Sequence, residues 1–214
     1  MNDHAKTPTG PERRAVEANV ELRAAKEGSK SPGTLVGYAA RFGTMSVPLP
    51  MPHGGTFREV IRPGAFRSCM GDDVRCLRNH LDDVLLGRSR SGTLRFEEDA
   101  QGLRYECDLP DTTHGRDTAE MVRSGNMNGC SFQFQVDDNG DEWTWSDSEP
   151  IRTVTRYKKL FDVGPVTFPA YEDSRVDCRS YNAAKAAKDA AEAEEVRKAQ
   201  EHVNARLRVA KALS

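Results

Sequence analysis

Leu103, Tyr105, Cys107 and Leu109 alternate with Arg104, Glu106 and Asp108, so an extended segment there has one apolar and one charged face. A period of two is the pattern of a half-buried strand and does not fit a helix. Leu94 and Phe96 supply a partner strand, joined to the first by a turn near Asp99 to Gly102. The same reading extends over Thr34 to Phe42, Val74 to His80, Cys130 to Val136, Glu142 to Trp145, Ile151 to Tyr157 and Lys159 to Phe168. Asp138-Asn139-Gly140-Asp141 reads as the turn of a hairpin. Residues 46–55, rich in proline and glycine, read as a loop. One helix is expected over Asp111 to Gly125, with Thr112 or Thr113 as N-cap and Gly125 as the residue just past its end. Pro63-Gly64-Ala65-Phe66 offers the start of a shorter one. Many short strands and few helices predict an α+β, mainly β fold, a barrel or a sandwich rather than a parallel α/β sheet.

The strands fall within one stretch. Residues 1–32 carry Pro, Gly, Lys, Glu and Ala with few large apolar side chains, and are expected to form a flexible N-terminal tail, disordered or only locally helical. Residues 33–178 hold nearly all the aromatic and β-branched residues and form the folded domain. Residues 179–214 are rich in Ala, Lys and Glu without Gly or Pro, which predicts a helical C-terminal tail. Val196, Ala199, Val203, Leu207 and Ala210 give that helix one thin apolar stripe, too little to stabilise it alone.

Composition excludes several classes. A net charge of −2 gives no electrostatic reason to expect nucleic acid as a partner. No apolar run approaches the roughly 20 residues of a membrane span, and the N-terminus has no signal-peptide core. The 5 cysteines, without Cys-x-x-Cys spacing, read as reduced thiols in the cytosol. Zinc-type Cys/His spacings and phosphate-binding glycine loops are absent, so no cofactor and no metal is expected.

Three segments carry candidate chemistry. His80 stands at the end of the strand that runs through Leu77-Arg78-Asn79-His80, Ser131 lies in Gly129-Cys130-Ser131-Phe132-Gln133-Phe134, and Asp162 lies in Leu160-Phe161-Asp162-Val163. Serine, histidine and a carboxylate are the parts of an activated nucleophile. If Phe132, Phe134 and Val136 face the core, Ser131 lies on the opposite face, where a nucleophile would meet a wet cleft. The spacing is equally that of an ordinary solvent-facing serine, and His80 alone is equally a surface or core histidine. Asp162 shares parity with Leu160 and Val166; facing inward it needs a partner, facing outward it is simply solvated. Cys130 is a rival nucleophile of opposite parity, and His80 with Asp82 and Asp83 a conceivable metal site. The Gly-x-Ser-x-Gly elbow fails because Gln133 takes the place of its second glycine, and the chain order His, Ser, Asp matches none of the common serine-hydrolase orders.

Six segments in register carry a resemblance. Gly37-Tyr38-Ala39-Ala40-Arg41-Phe42-Gly43, Glu59-Val60-Ile61-Arg62-Pro63-Gly64-Ala65-Phe66, Asn79-His80 with Leu86-Gly87, Ser91-Gly92-Thr93-Leu94 with Gly102-Leu103-Arg104-Tyr105, the segment around Ser131, and Asp162 through Tyr171 together resemble the tailed-phage (caudovirus) prohead protease family. The likeness covers about residues 34–176. It implies a β-barrel like that of the herpesvirus assembly proteases with flanking helices, and serine endopeptidase activity inside the immature capsid. The histidine and serine motifs of the family map to His80 as base and Ser131 as nucleophile, and its acidic position falls on Asp162. The implied partners are the major capsid protein or scaffold protein as substrate, and the chain itself. The implied location is the assembling procapsid in the host cytoplasm. Leu81, where relatives often carry an acid or amide, and Gln133, where they often carry glycine, depart from the pattern and leave substrate preference open. The oligomeric state is not set by the sequence. The competing class is a non-enzymatic capsid-assembly or scaffolding protein on the same fold.

Overall fold

The computed structural model describes residues 11–16, 20–25, 27–51, 54–145, 149–169 and 178–212. In chain order the strands are β1 (Glu12–Val16), β2 (Glu21–Arg23), β3 (Thr34–Arg41), β4 (Leu49–Pro50), β5 (Thr56–Ile61), β6 (Arg75–Leu77), β7 (Leu85–Arg88), β8 (Leu94–Glu98) and β9 (Gly102–Asp108). After helix α1 (Thr113–Arg123) come β10 (Gly129–Val136), β11 (Asp141–Trp145), β12 (Pro150–Val154) and β13 (Tyr157–Val166), and then helix α2 (Cys178–Ala212). Residues 1–177 and 178–214 are two separate compact units.

The first unit is built from sheets, because its apolar residues recur at a period of two. One sheet runs β1-β10-β13-β6-β7, a second β11-β12-β5-β4, and a third β2-β3-β9-β8. Their buried faces enclose one large core, centred on an aromatic cluster, and Leu49 and Phe57 form a second, smaller cluster with Met51 and Trp143 packed against it. Phe66 stacks on Tyr157 with ring centroids 4.4 Å apart, and Phe132 on Phe134 at 4.8 Å. Phe134 also meets Tyr157 edge-on at 4.8 Å. Each such ring stabilises the fold by about 1.5–3 kcal/mol through burial alone.

The alternation of Leu103, Tyr105, Cys107 and Leu109 is borne out: all four are buried, and β8 pairs antiparallel with β9 across the turn at Asp99 to Gly102. The α1 expectation holds too. The Thr112 hydroxyl accepts from the Gly115 N–H at 3.2 Å, capping the helix, and Gly125 takes the left-handed φ of +75° just past its end.

Four expectations differ. Among the described residues no sheet closes into a barrel; the three are open, because β11, β12 and β5 pair among themselves. The turn at Asp138 to Asp141 joins two sheets and makes no hairpin, since both edges of β10 are taken, by β1 and β13. The strand carrying His80 ends early, at Leu77. Finally, the expected N-terminal tail contains two strands: β1 pairs with β10 and β2 with β3. Low apolar content misled there, because β1 is fixed by buried ion pairs rather than by apolar burial.

The second unit, α2, is a 35-residue helix held by pairs one turn apart, among them Lys185 with Asp189 at 2.9 Å and Arg197 with Glu201 at 2.8 Å. Val196 and Val203 of the apolar stripe are exposed. The side chains of Leu207 and Ala210 lie outside the described residues.

Gly164 joins the halves of the first sheet at closest range. A Cβ there would lie 2.1 Å from the carbonyl oxygen of Leu77, so only glycine lets β6 approach β13. Gly164→Ala should therefore destabilise the protein by about 3 kcal/mol or more through backbone displacement. Chemical denaturation checks this, with a lower midpoint at an unchanged slope as the expected result.

Candidate active site

Strands β10 and β13 are neighbours in register, with Ser131 opposite Gly164 and Gln133 opposite Asp162. Ser131, Gln133, Asp162 and Gly164 therefore share one face of the sheet. The place a side chain at Gly164 would take is filled by the Leu77 backbone. Strand β6 runs parallel to β13, with Arg75 opposite Asp162, and delivers the following turn over that face.

The turn is unusual. After Leu77 the chain makes a single 3-10 turn, Arg78–His80, in which Asn79 and His80 both have left-handed backbone, φ 55° and 56°. Asn tolerates this region better than most residues, and His is also enriched in it. Asn79 is clamped as well: its side-chain oxygen accepts from the Thr167 N–H at 2.8 Å, and its amide donates to the Thr167 hydroxyl at 3.1 Å. The Arg78 guanidinium donates to the Thr118 hydroxyl on α1 at 3.3 Å. Backbone strain of about 1–3 kcal/mol per residue is thus offset by fixed partners on both sides. The result re-aims the His80 ring from the strand direction to the space between Ser131 and Asp162.

There the three side chains meet. His80 Nδ1 lies 2.6 Å from Asp162 Oδ1, and His80 Nε2 lies 2.6 Å from Ser131 Oγ. An ionised carboxylate can only accept, so the Nδ1 proton points at Asp162 and a neutral ring is left with Nε2 as an acceptor. The Asp162 side chain is only 3% exposed and that of His80 9% exposed. A carboxylate so buried requires a donor, and His80 provides it. The inward option for Asp162 is the one realised.

Ser131 differs from expectation in its surroundings. It is 2% exposed and does not face an open cleft. Strand β1 covers it: Ala15 lies opposite Ser131, and the Ser131 hydroxyl is 2.9 Å from the carbonyl oxygen of Arg14. Sequence reasoning missed this neighbour, together with the Asn79 clamp. The tendency of Asn for left-handed backbone was the signal available for the clamp. The adjacent Glu12, Arg13 and Arg14 were the only hint of β1.

The other candidates are placed elsewhere. Cys130 is fully buried, 3.3 Å from the Tyr105 hydroxyl, and burial pushes its thiol up to about 12. Asp82 and Asp83 are exposed, and among the described residues no three His, Cys, Asp or Glu side chains are grouped as a metal ion would need. His114 is at the start of α1 and His202 is on α2; His4 and His53 lie outside the described residues. No helix among the described residues is long and apolar enough to cross a membrane.

The arrangement is a serine, a histidine and a carboxylate in hydrogen-bond contact, carried on two adjacent strands and one strained turn of a mainly β protein. The chain belongs to the caudovirus prohead serine protease family, whose model matches residues 18–189. Membership places it among the serine proteases of the phage prohead, with capsid or scaffold proteins as the substrates the family implies. Comparison with curated proteins and with solved structures gave no match.

Burial also sets the behaviour of the thiols. Cys69, Cys76, Cys107 and Cys130 are free and buried, and burial pushes Cys69, like Cys130, up to about 12. At pH 8 a thiol of that kind is ionised in only about one molecule in 10⁴. Iodoacetamide at pH 8 should leave all four unmodified in the native protein and alkylate them after denaturation, as read by peptide mass mapping.

Proposed function

We propose that the protein is a serine endopeptidase that processes capsid or scaffold protein during prohead maturation, with Ser131 as nucleophile, His80 as general base and acid, and Asp162 as the group that orients His80. The observation that carries the proposal is the unbroken chain of two 2.6 Å contacts from Ser131 through His80 to Asp162. Each contact lies within hydrogen-bond reach, as proton transfer requires.

The steps follow from the geometry. Ser131 Oγ attacks the carbonyl carbon of the scissile peptide while its proton passes to His80 Nε2. The imidazolium formed is stabilised by the Asp162 carboxylate at Nδ1. As the tetrahedral intermediate collapses, the C–N bond breaks and Nε2 gives its proton to the departing amine, leaving an ester on Ser131. Water then attacks the ester, with His80 again taking and returning a proton. Backbone N–H groups hold the oxyanion in both steps.

Self-cleavage in the terminal segments and action inside the procapsid in the host cytoplasm belong to this family-level reading. In this reading the chain outside the relay positions substrate and carries the enzyme into the shell.

Intact mass spectrometry of the wild type, Ser131→Ala and Asp162→Asn, each mixed with the cognate capsid protein under assembly conditions, tests the reading. Fragments should accumulate with wild type only. Ser131→Ala should abolish cleavage, and Asp162→Asn should slow it by about 10⁴-fold by favouring the wrong tautomer of His80. Uncut capsid protein with every form would instead support a purely structural assembly role. Cleavage by Ser131→Ala at the wild-type rate would require a different nucleophile.

A further inference from the structure

We propose that β1 occupies the position along β10 that a substrate strand must take, so that the state described is latent, and that Glu59 selects an arginine on the strand that replaces it. The proposal rests on Ser131 being the nucleophile.

The argument begins with edges. β10 carries Ser131 and has two edges, of which one is bound to β13, the strand of Asp162. The remaining edge is where an extended peptide can add to the sheet by main-chain hydrogen bonds. β1 fills the part of that edge that carries Ser131, antiparallel, from Glu12 opposite Phe134 to Val16 opposite Cys130. β1 also lies outside the family-matched residues 18–189, which contain the relay.

The blockage reaches the reacting atom. The Arg14 carbonyl oxygen stands 2.9 Å from Ser131 Oγ, so main chain fills the space into which a scissile carbonyl would have to come. The serine hydroxyl has one proton and two acceptors within reach, Arg14 O and His80 Nε2. Donation to Arg14 O withholds that proton from the base. β1 thus both covers the nucleophile and competes for its proton.

The Arg14 side chain shows what anchors the strand. Its Nε and Nη2 donate to the two oxygens of Glu59 at 2.9 and 3.0 Å, a bidentate pair. Nη2 also donates to Glu12 at 2.9 Å, and Phe134 lies under the guanidinium at 5.4 Å. Burial works against the Arg14 charge, but Glu59 and Glu12 outweigh it and hold the guanidinium ionised. Arg152 completes the cluster, donating to Glu12 at 2.7 Å and to Asp141 at 2.6 Å. If β1 leaves, Glu59 loses both of its bonds from Arg14 and keeps the longer one from Arg152 at 3.2 Å. Such a vacated pocket attracts a cationic side chain. Arg fits where Lys does not, because a planar fork is needed to meet Glu59 with two bonds. The incoming strand is therefore one that offers an arginine to Glu59 while its main chain passes Ser131.

The test is the rate at which a fluorophosphonate probe labels Ser131, mapped by peptide mass, in the full-length wild type and in Arg14→Ala. Labelling should be at least about tenfold faster in the variant. A peptide with the sequence of residues 11–16, added in trans, should return the variant to the wild-type rate. The same peptide with alanine in place of the second arginine should not. Ala15→Pro loosens β1 without touching the charge cluster, and serves if Arg14→Ala does not fold as judged by circular dichroism; the same acceleration is expected. Equal Ser131 labelling of wild type and folded variants overturns the latent-strand proposal, equal protection by the two peptides overturns the arginine selection, and either result leaves the Ser131 reading standing. Absence of label from Ser131 in every form overturns both.

Discussion

A buried carboxylate that must find a donor organises this protein. Asp162 sits on a central strand at 3% side-chain exposure, where an unpaired charge costs several kcal/mol. Its Oδ1 contact at 2.6 Å is His80, from a turn 82 residues away in the chain. Satisfying Asp162 therefore requires three things at once. β6 must lie beside β13, which only a glycine at position 164 permits. The chain must leave the strand at Leu77 through left-handed residues, which the Asn79–Thr167 clamp secures. The ring that results must present Nε2 to the opposite strand, where Ser131 stands. One hydrogen bond therefore does two things: the contact that offsets the cost of burying Asp162 also turns His80 Nε2 toward Ser131.

A second buried charge system holds the other flank of β10. Arg14 and Arg152 are enclosed with Glu12, Glu59 and Asp141, and their mutual bonds replace the water they lose. Ion pairs of this kind rarely add net stability over apolar packing, but removing one partner costs about 3–5 kcal/mol. They suit a contact that must be specific and all-or-none. Apolar burial would hold any strand of suitable shape on β10, whereas this cluster accepts one with a guanidinium in register. The serine strand is thus bounded by a fixed neighbour on one side, β13, and a chemically selected one on the other.

Much of this was legible in residue pattern. The alternation around Tyr105 defined the β8–β9 hairpin, the Thr112 cap and Gly125 bounded α1, and strand parity set Cys130 on the face opposite Ser131. The family resemblance and the family match agree, and the residues proposed for the relay lie within the matched segment. What escaped has physical causes of three kinds. β1 reads as a flexible tail in the sequence because its burial is electrostatic, and charges so close in sequence usually mean solvent exposure. The left-handed turn at Asn79 and His80 reads in the sequence as the end of a strand, because period-two parity continues smoothly across a residue whose φ has changed sign. The turn at Asp138 to Asp141 has hairpin chemistry, but pairing is decided by which edges remain free, and those of β10 had been taken by segments distant in sequence.

The central claim, that Ser131 is the nucleophile delivered by this arrangement, is tested most directly by trapping its covalent intermediate. The protein is mixed with assembling capsid protein, quenched in acid within the first turnover and digested, and the acyl group is located by tandem mass spectrometry. The account predicts a single ester on Ser131 that disappears on longer incubation. An acyl group on Cys130 or another residue, or continuing cleavage with no covalent intermediate, would contradict it.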